Sequence, residues 1–355
     1  MKDKLNWGLL SKYRTELYGV ATLMIMVFHC QHFIQFPGIL NTIGKHLNYG
    51  VDIFLLLSGI CLYFSFSKDS NYGTFMKKRC ERTLVPYLII GLFFWIWKYI
   101  IAEPDILDFL YNASGFSLIL LKRENYLVIG EPTIWYVAFI MAMYAIYPII
   151  YNAYFKTTEK RSKQNFAAML LFAFAISLFI KAYTPASFDE AEISLTRIPV
   201  FLMGCYFGKA VKEKQKFRLQ DYILFFMCIP LKLIISFIIK SNDIIFHRYL
   251  GLFAAFLICF AVVFVLEAVS NIKFIITPVK KVLTFFGTIS LEVYIIHVML
   301  YNALLYYIPD IRTTDAFAYW QKALIYVGIL VVSTVLSVIF NKAYNAIKSK
   351  KKAVA

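Results

Sequence analysis

The sequence has little charge for its length and few acidic residues. Only 16% of its 355 residues are Asp, Glu, Lys or Arg, and 21 acidic residues stand against 37 basic ones. Its 6 cysteines are scattered and form no CxxC pair, so we expect neither a zinc site nor a disulfide framework. The sequence contains no low-complexity tract, no internal repeat and no segment suited to a separate soluble domain. We therefore predict a single domain over 1–355.

What the sequence has in abundance is apolar residues. It is 60% hydrophobic and 18% aromatic, and its mean hydropathy is +0.66. Recurring apolar segments of about 17–25 residues are typical of transmembrane helices. We predict an all-α polytopic integral membrane protein with about ten transmembrane helices. The predicted spans are roughly 16–35, 51–67, 84–102, 133–154, 166–184, 195–209, 220–239, 249–268, 283–307 and 321–341.

Basic residues concentrate in alternate connections between these spans. The basic connections are 2–14, 68–82, 156–163, 209–218, 273–281 and 342–352. Positively charged loops face the cytoplasm, so we predict a plasma (inner) membrane protein with both termini cytoplasmic. Its core covers about 14–340, and 342–355 forms a basic cytoplasmic tail. The positive charge then indicates contact with anionic membrane lipid rather than with nucleic acid.

The first predicted span carries an ionisable side chain, His29. An ionisable residue inside a span is costly and marks a functional site by default. Tyr18 lies close to three turns earlier and Arg14 one turn before Tyr18, so all three share a helix face. Glu16 lies at the start of the same span. This polar stripe predicts a catalytic histidine, and the alternative is a histidine that only hydrogen-bonds two helices together.

A second polar face lies on the ninth predicted span. Ser290, Tyr294 and His297 are spaced at i, i+4 and i+7, and Glu292 lies in the same stretch. A second histidine inside the membrane favours a polar cavity. Glu16 and Glu292 either orient polar groups there or are neutralised by pairing.

Arg79 and Arg82 lie three residues apart just before the third predicted span. Guanidinium groups on one helix face suit bidentate binding of phosphate. The alternative is an anchor on anionic lipid.

Four further residues are candidates for substrate binding: Asp52, Ser58, Trp135 and Arg197. Asp52 begins the second span, where the alternative is capping of a helix N-terminus. Ser58 precedes Gly59, and this small pair also suits close packing of membrane helices. Trp135 lies at the edge of the fourth span, a position that is also typical of an interfacial aromatic belt. Arg197 opens the sixth span.

Taken together, these stretches resemble the membrane-bound acyltransferase 3 family over about 14–340. The matching pieces, in chain order, are V-A-T-L-M-I-M-V-F-H, G-V-D-I-F-L-L-L-S-G, K-K-R-C-E-R-T-L-V-P-Y, I-W-Y-V, R-I-P-V-F-L-M-G and F-G-T-I-S-L-E-V-Y-I-I-H. The resemblance implies an enzyme that moves an acyl group, usually acetyl from acetyl-CoA, onto a sugar hydroxyl of a surface glycan. It also implies that His29 is the catalytic histidine and that Arg79 and Arg82 belong to the acyl-CoA site.

The chain departs from the family pattern at one position. The family usually has an arginine eleven residues before the histidine, where this chain has Tyr18. Arg14 can substitute from one turn earlier, or Tyr18 can donate a hydrogen bond itself. We therefore assign Arg14 to the acyl-CoA site, and we group Tyr18, Glu16 and Tyr294 with the catalytic histidines.

We thus expect an O-acyltransferase without a metal, which transfers acetyl from acetyl-CoA to a hydroxyl of a cell-surface polysaccharide, a cell-wall glycan or a lipid-linked sugar. His29 is the expected general base, because a near-neutral imidazole suits proton transfer. Transient acylation of His29 is the alternative mechanism. Alternatives in other classes are a secondary transporter, in which the intramembrane charges relay protons, and a non-enzymatic component of a glycan export or assembly system.

Overall fold

The computed structural model describes residues 5–31, 38–102, 131–239, 243–308, 311 and 317–354, and these residues fold into a helical bundle. The α-helices are α1 (Leu9–Lys12), α2 (Arg14–Cys30), α3 (Gly38–His46), α4 (Tyr49–Phe66), α5 (Tyr72–Arg79), α6 (Val85–Ala102), α7 (Glu131–Phe155), α8 (Glu159–Tyr183), α9 (Pro185–Leu195), α10 (Ile198–Lys212), α11 (Leu219–Phe226), α12 (Cys228–Leu233), α13 (Ile244–Ala268), α14 (Lys273–Thr288), α15 (Ser290–Tyr307) and α16 (Tyr319–Val354). Short π-helices, Cys80–Leu84 and Ile234–Ile239, follow α5 and α12. Within the described ranges the all-α prediction is confirmed.

The described residues contain fewer candidate membrane spans than the ten predicted. In the described part of the chain, 7 helices are long and apolar enough to cross a membrane, or 8 if α14 and α15, bent by 70°, form one span. The other two predicted spans, 16–35 and 195–209, correspond to α2 and α10, which have 17 and 15 residues, and positions 32–35 lie outside the described residues. These lengths are at or below the lower end of the roughly 17–25 residues that cross a bilayer. The count of ten is therefore not confirmed.

The outward faces of the long helices are apolar. Phe93 of α6 is 73% exposed, Phe172 of α8 is 67% exposed and Val331 of α16 is 57% exposed. Apolar faces on this scale suit contact with lipid rather than with water. The bundle is therefore that of a membrane protein.

Helix α4 lies at the centre and packs on α10 with the two backbones in close contact. A Cβ atom on Gly204 of α10 would lie 2.2 Å from the carbonyl oxygen of Leu56, and one on Gly59 of α4 would lie 2.6 Å from that of Phe201. Small residues at such crossings let membrane helices approach closely. Gly59 therefore serves packing.

Helix α14 crosses α2 in equally close contact. A Cβ atom on Gly19 of α2 or on Gly287 of α14 would lie 1.9 Å from a backbone oxygen of the other helix. The chain then bends by 70° into α15, which lies beside α2 with Val293 packed near Met26. This bend sets the register between α2 and α15.

Replacing Gly204 with Ala should destabilise the protein by about 1–3 kcal/mol, because the added methyl group must push α4 and α10 apart. Gly328→Ala in α16 is the matched control, since no atom lies within 4 Å of a Cβ at that position. Thermal unfolding of both variants in one detergent measures the effect. Equal melting temperatures would contradict the close packing of α4 on α10.

Candidate active site

Two histidines meet inside the bundle. His29 lies near the end of α2 and His297 lies in α15, and Nδ1 of His29 is 2.8 Å from Nε2 of His297. His297 is 1% exposed, whereas His29 is half-buried. The two spans that carry the predicted histidines are therefore joined at these rings.

A backbone carbonyl fixes the tautomers of this pair. Nδ1 of His297 lies 2.6 Å from the oxygen of Val293, one turn earlier in α15. A carbonyl oxygen only accepts, so this nitrogen carries a proton, and Nε2 of the neutral ring is an acceptor. His29 therefore donates from Nδ1, and its basic lone pair is on Nε2. His29 is thus arranged to take a proton at Nε2.

A cavity of about 300 Å³ lies beside the histidine pair, between α2, α4, α7, α15 and α16. Its lining is apolar at one end, where it includes Ile25 and Val51. Arg79 lines the other end and donates to Ser65 of α4. Ser65 is about four turns from Val51 along α4, roughly 21 Å. The cavity therefore has an apolar end and a basic end.

The histidines lie just beyond the apolar end. Neither is part of the lining, but Ile25 and Tyr294 are, and each precedes a histidine by about one helical turn. The rings of Tyr294 and His297 are 6.3 Å apart. One turn corresponds to about 5 Å along a helix. A long ligand could therefore place one end beside the histidines and the other among the arginines.

Arg79 and Arg82 line the basic end. The Arg79 guanidinium donates from Nη2 to Oγ of Ser65, and it lies 5.3 Å from the ring centre of Phe75 and 5.6 Å from that of Tyr144. Its buried Nε has no hydrogen-bond partner among the described residues. A buried donor without an acceptor costs free energy. An anionic ligand at this end would pair with the charge of the guanidinium group.

Both histidines and both arginines fall within a family match. A family model described as an acyltransferase domain matches residues 18–342. The chain belongs to this acyltransferase family. No curated protein and no solved structure matches it. The resemblance inferred from the motifs is confirmed, and the protein is a membrane acyltransferase.

In this acyltransferase, Arg14 and Tyr18 both approach Cys61 of α4. Nη1 of Arg14 is 3.7 Å and Oη of Tyr18 is 4.0 Å from the Cys61 sulfur. Tyr18 and Cys61 line the cavity, whereas Arg14 does not. Tyr18 therefore faces the cavity from the position where the family usually has an arginine. Glu16 pairs instead with Lys280 of α14 at 3.4 Å, outside the lining.

Asp52 and Arg197 form a buried ion pair that joins α4 to α10. Oδ1 of Asp52 accepts from Nε of Arg197 at 3.1 Å, and the two side chains are 4% and 2% exposed. The Arg197 guanidinium lies 5.4 Å from the ring centre of Trp135, which is also buried. Asp52 lies in the first turn of α4, where the capping alternative placed it, and its side chain pairs with Arg197 there. Trp135 is buried against this pair. Of the four predicted substrate-binding residues, Ser58 lines the cavity and these three do not.

The sequence-based reasoning missed several residues of the cavity. These are Cys61, Tyr136, Tyr144, Asn341, Tyr344, Asn345 and Lys348. Nothing in the sequence around Cys61 signals its position. The sequence of α16 could have indicated a polar helix face, because polar side chains recur at helical spacing beyond 341, the predicted end of the last span.

Replacing Asp52 with Asn should lower the stability of the acyltransferase by about 3–5 kcal/mol, because it leaves the Arg197 charge buried without its counter-ion. Glu159→Gln is the control, since it removes an exposed pair with Lys163 one turn away and should leave the melting temperature unchanged. Thermal unfolding in detergent compares the two. An Asp52→Asn variant that melts with the wild type would show that the pair does not hold α4 to α10.

Proposed function

We propose that this acyltransferase is an O-acetyltransferase of the plasma (inner) membrane with both termini in the cytoplasm. Acetyl-CoA is the donor, and the acceptor is a hydroxyl of a cell-surface polysaccharide, a cell-wall glycan or a lipid-linked sugar. The basic end of the cavity faces the cytoplasm in this orientation, as the basic connections indicate. Family membership favours this enzyme over the secondary transporter and the assembly component.

One observation carries the proposal: a single cavity joins Arg79 and Arg82 to the neighbourhood of the paired histidines. Acyl-CoA is a ligand with anionic phosphates at one end and a reactive thioester at the other. Arginine pairs suit phosphate, and the apolar stretch near Ile25 and Val51 suits the acyl end. The polarity of the two ends of the cavity therefore suits the donor.

The proposed reaction is a direct transfer at the apolar end. Nε2 of His29 takes the proton of the acceptor hydroxyl as its oxygen attacks the thioester carbon. The carbon–sulfur bond breaks, the ester forms, and the departing thiolate takes the proton back from His29. His297 is a positioning residue, because its bond to Val293 sets the tautomer of His29. Acylation of His29 itself is the alternative course.

His29→Ala should lower turnover by roughly 10²–10⁴-fold and leave acyl-CoA binding nearly unchanged, because the general base is lost. His297→Ala should cost less, since it removes only the group that orients His29. His247→Ala, in α13 and outside the cavity lining, is the control. The measurement is acetylation of glycan or of an artificial acceptor by purified variants of matched thermal stability. Near-wild-type turnover in His29→Ala would contradict the mechanism.

Arg79→Gln and Arg82→Gln should each raise the Michaelis constant for acetyl-CoA about tenfold to a hundredfold, because a charge-assisted phosphate contact is worth roughly 1.5–3 kcal/mol. Lys77→Gln is the control, since this exposed lysine lies in the same helix but outside the cavity lining. An anchor on anionic lipid would make all three variants behave alike. Unchanged Michaelis constants in folded arginine variants would support that alternative.

A further inference from the structure

The last helix, α16, has a polar face that runs to the basic end of the cavity. Ser333 and Ser337 are buried on this face, and Asn341, Tyr344 and Lys348 follow at spacings of three or four residues. Asn341, Tyr344 and Lys348 line the cavity together with the arginines. The helix therefore forms one wall of the proposed donor site and contacts the segment that carries the arginines.

The amides on this wall are already arranged by hydrogen bonds. Nδ2 of Asn341 donates to Oε1 of Glu292 at 2.7 Å, and Nδ2 of Asn345 donates to Oδ1 of Asn341 at 3.0 Å. Asn345 is exposed, and it lines the cavity. An amide carries both a donor and an acceptor, which is the pattern that pairs with the N6 and N7 atoms of adenine.

Lys348 is paired with a residue that lies between the two arginines. Its Nζ is 3.1 Å from Oε2 of Glu81, and the two side chains are 35% and 38% exposed. Oη of Tyr344 donates to the backbone oxygen of Glu81 at 2.5 Å. An ion pair exposed to this extent contributes little to stability, so Lys348 can exchange Glu81 for a stronger anion at small cost.

The geometry points to the α16 wall as the nucleotide-recognition site of the enzyme: Lys348 binds the 3′-phosphate of coenzyme A, and Asn345 contacts its adenine. This inference rests on the proposed use of acyl-CoA. The donor has three phosphate groups, two in the diphosphate bridge and one on the ribose. Arg79 is partly buried and Arg82 is three residues away, so this pair takes the diphosphate. Lys348, which pairs with Glu81 between these arginines, is left for the 3′-phosphate.

This assignment also distinguishes two classes of acyl donor, free acyl-CoA and an acylated carrier protein. An acyl group on a carrier protein has the same phosphopantetheine arm and thioester but no adenosine and no 3′-phosphate. The lysine and the amides beside the arginines suit the 3′-phosphate and the adenine, which only the nucleotide donor carries. The α16 wall therefore favours free acyl-CoA over an acylated carrier protein.

The experiment measures the binding of coenzyme A and of 3′-dephospho-coenzyme A to the full-length protein in detergent by titration calorimetry. The wild type should bind coenzyme A about tenfold more tightly than 3′-dephospho-coenzyme A, because one charge-assisted contact depends on the 3′-phosphate. Lys348→Gln should bind both ligands equally, at the affinity that the wild type has for the dephospho form. Lys342→Gln, an exposed lysine of the same helix, should keep the tenfold difference.

Asn345→Ala provides a second readout. This substitution should lower the affinity for both ligands by the same factor, since both contain adenine. The tenfold preference for coenzyme A should therefore be preserved. A Lys348→Gln variant that still prefers coenzyme A tenfold would overturn the inference and leave the proposed function standing. A wild-type protein that binds neither ligand would overturn the proposed function and the inference with it.

Discussion

The contact between α2 and α14 is the constraint on which the active site depends. Gly19 and Gly287 let these helices meet backbone to backbone, and the 70° bend that follows starts α15 beside α2. The hydrogen bond between His29 and His297 needs this register, because a shift by one residue would turn either ring away by about 100°. These two glycines have no reactive side chain, yet they determine the position of the two histidines.

A second constraint fixes the opposite wall of the cavity. The buried pair of Asp52 and Arg197, together with the crossing at Gly59 and Gly204, holds α4 against α10. In an apolar bundle such a pair can break only at the cost of leaving a charge unpaired. Since α4 also presents Ser58 to the cavity, the ion pair holds the cavity wall in place without contacting a ligand there.

Composition and local pattern predicted the helical membrane fold, and the resemblance of the motifs predicted the family. Local pattern also singled out both histidines and the arginine pair, whose roles stay predictions. Local pattern could not predict contacts between residues that are distant in sequence. The sequence around Asp52 predicts a helix cap, and only the fold shows that Asp52 pairs with Arg197. Hydropathy likewise placed the end of the last span at 341, where the apolar residues stop, although the helix continues to Val354. The count of ten spans included two segments whose described helices, α2 and α10, have only 17 and 15 residues, because hydropathy alone does not give the length of a helix.

The position of the histidine pair bears on how two substrates would meet. Under the proposed function, the donor enters at Arg79 and occupies the cavity as far as Ile25, so it fills the route between the basic end and His29. The acceptor hydroxyl must then reach Nε2 of His29 from the far side of the pair, where α2 ends at Cys30. His29 is half-buried whereas His297 is buried, so His29 is the more accessible ring of the pair. The tautomers agree with this order, since Nδ1 of His29 donates to His297 and the basic lone pair of His29 is on Nε2. Donor and acceptor would therefore approach His29 from opposite ends of the bundle, and the acetyl group would cross between them without either substrate passing through.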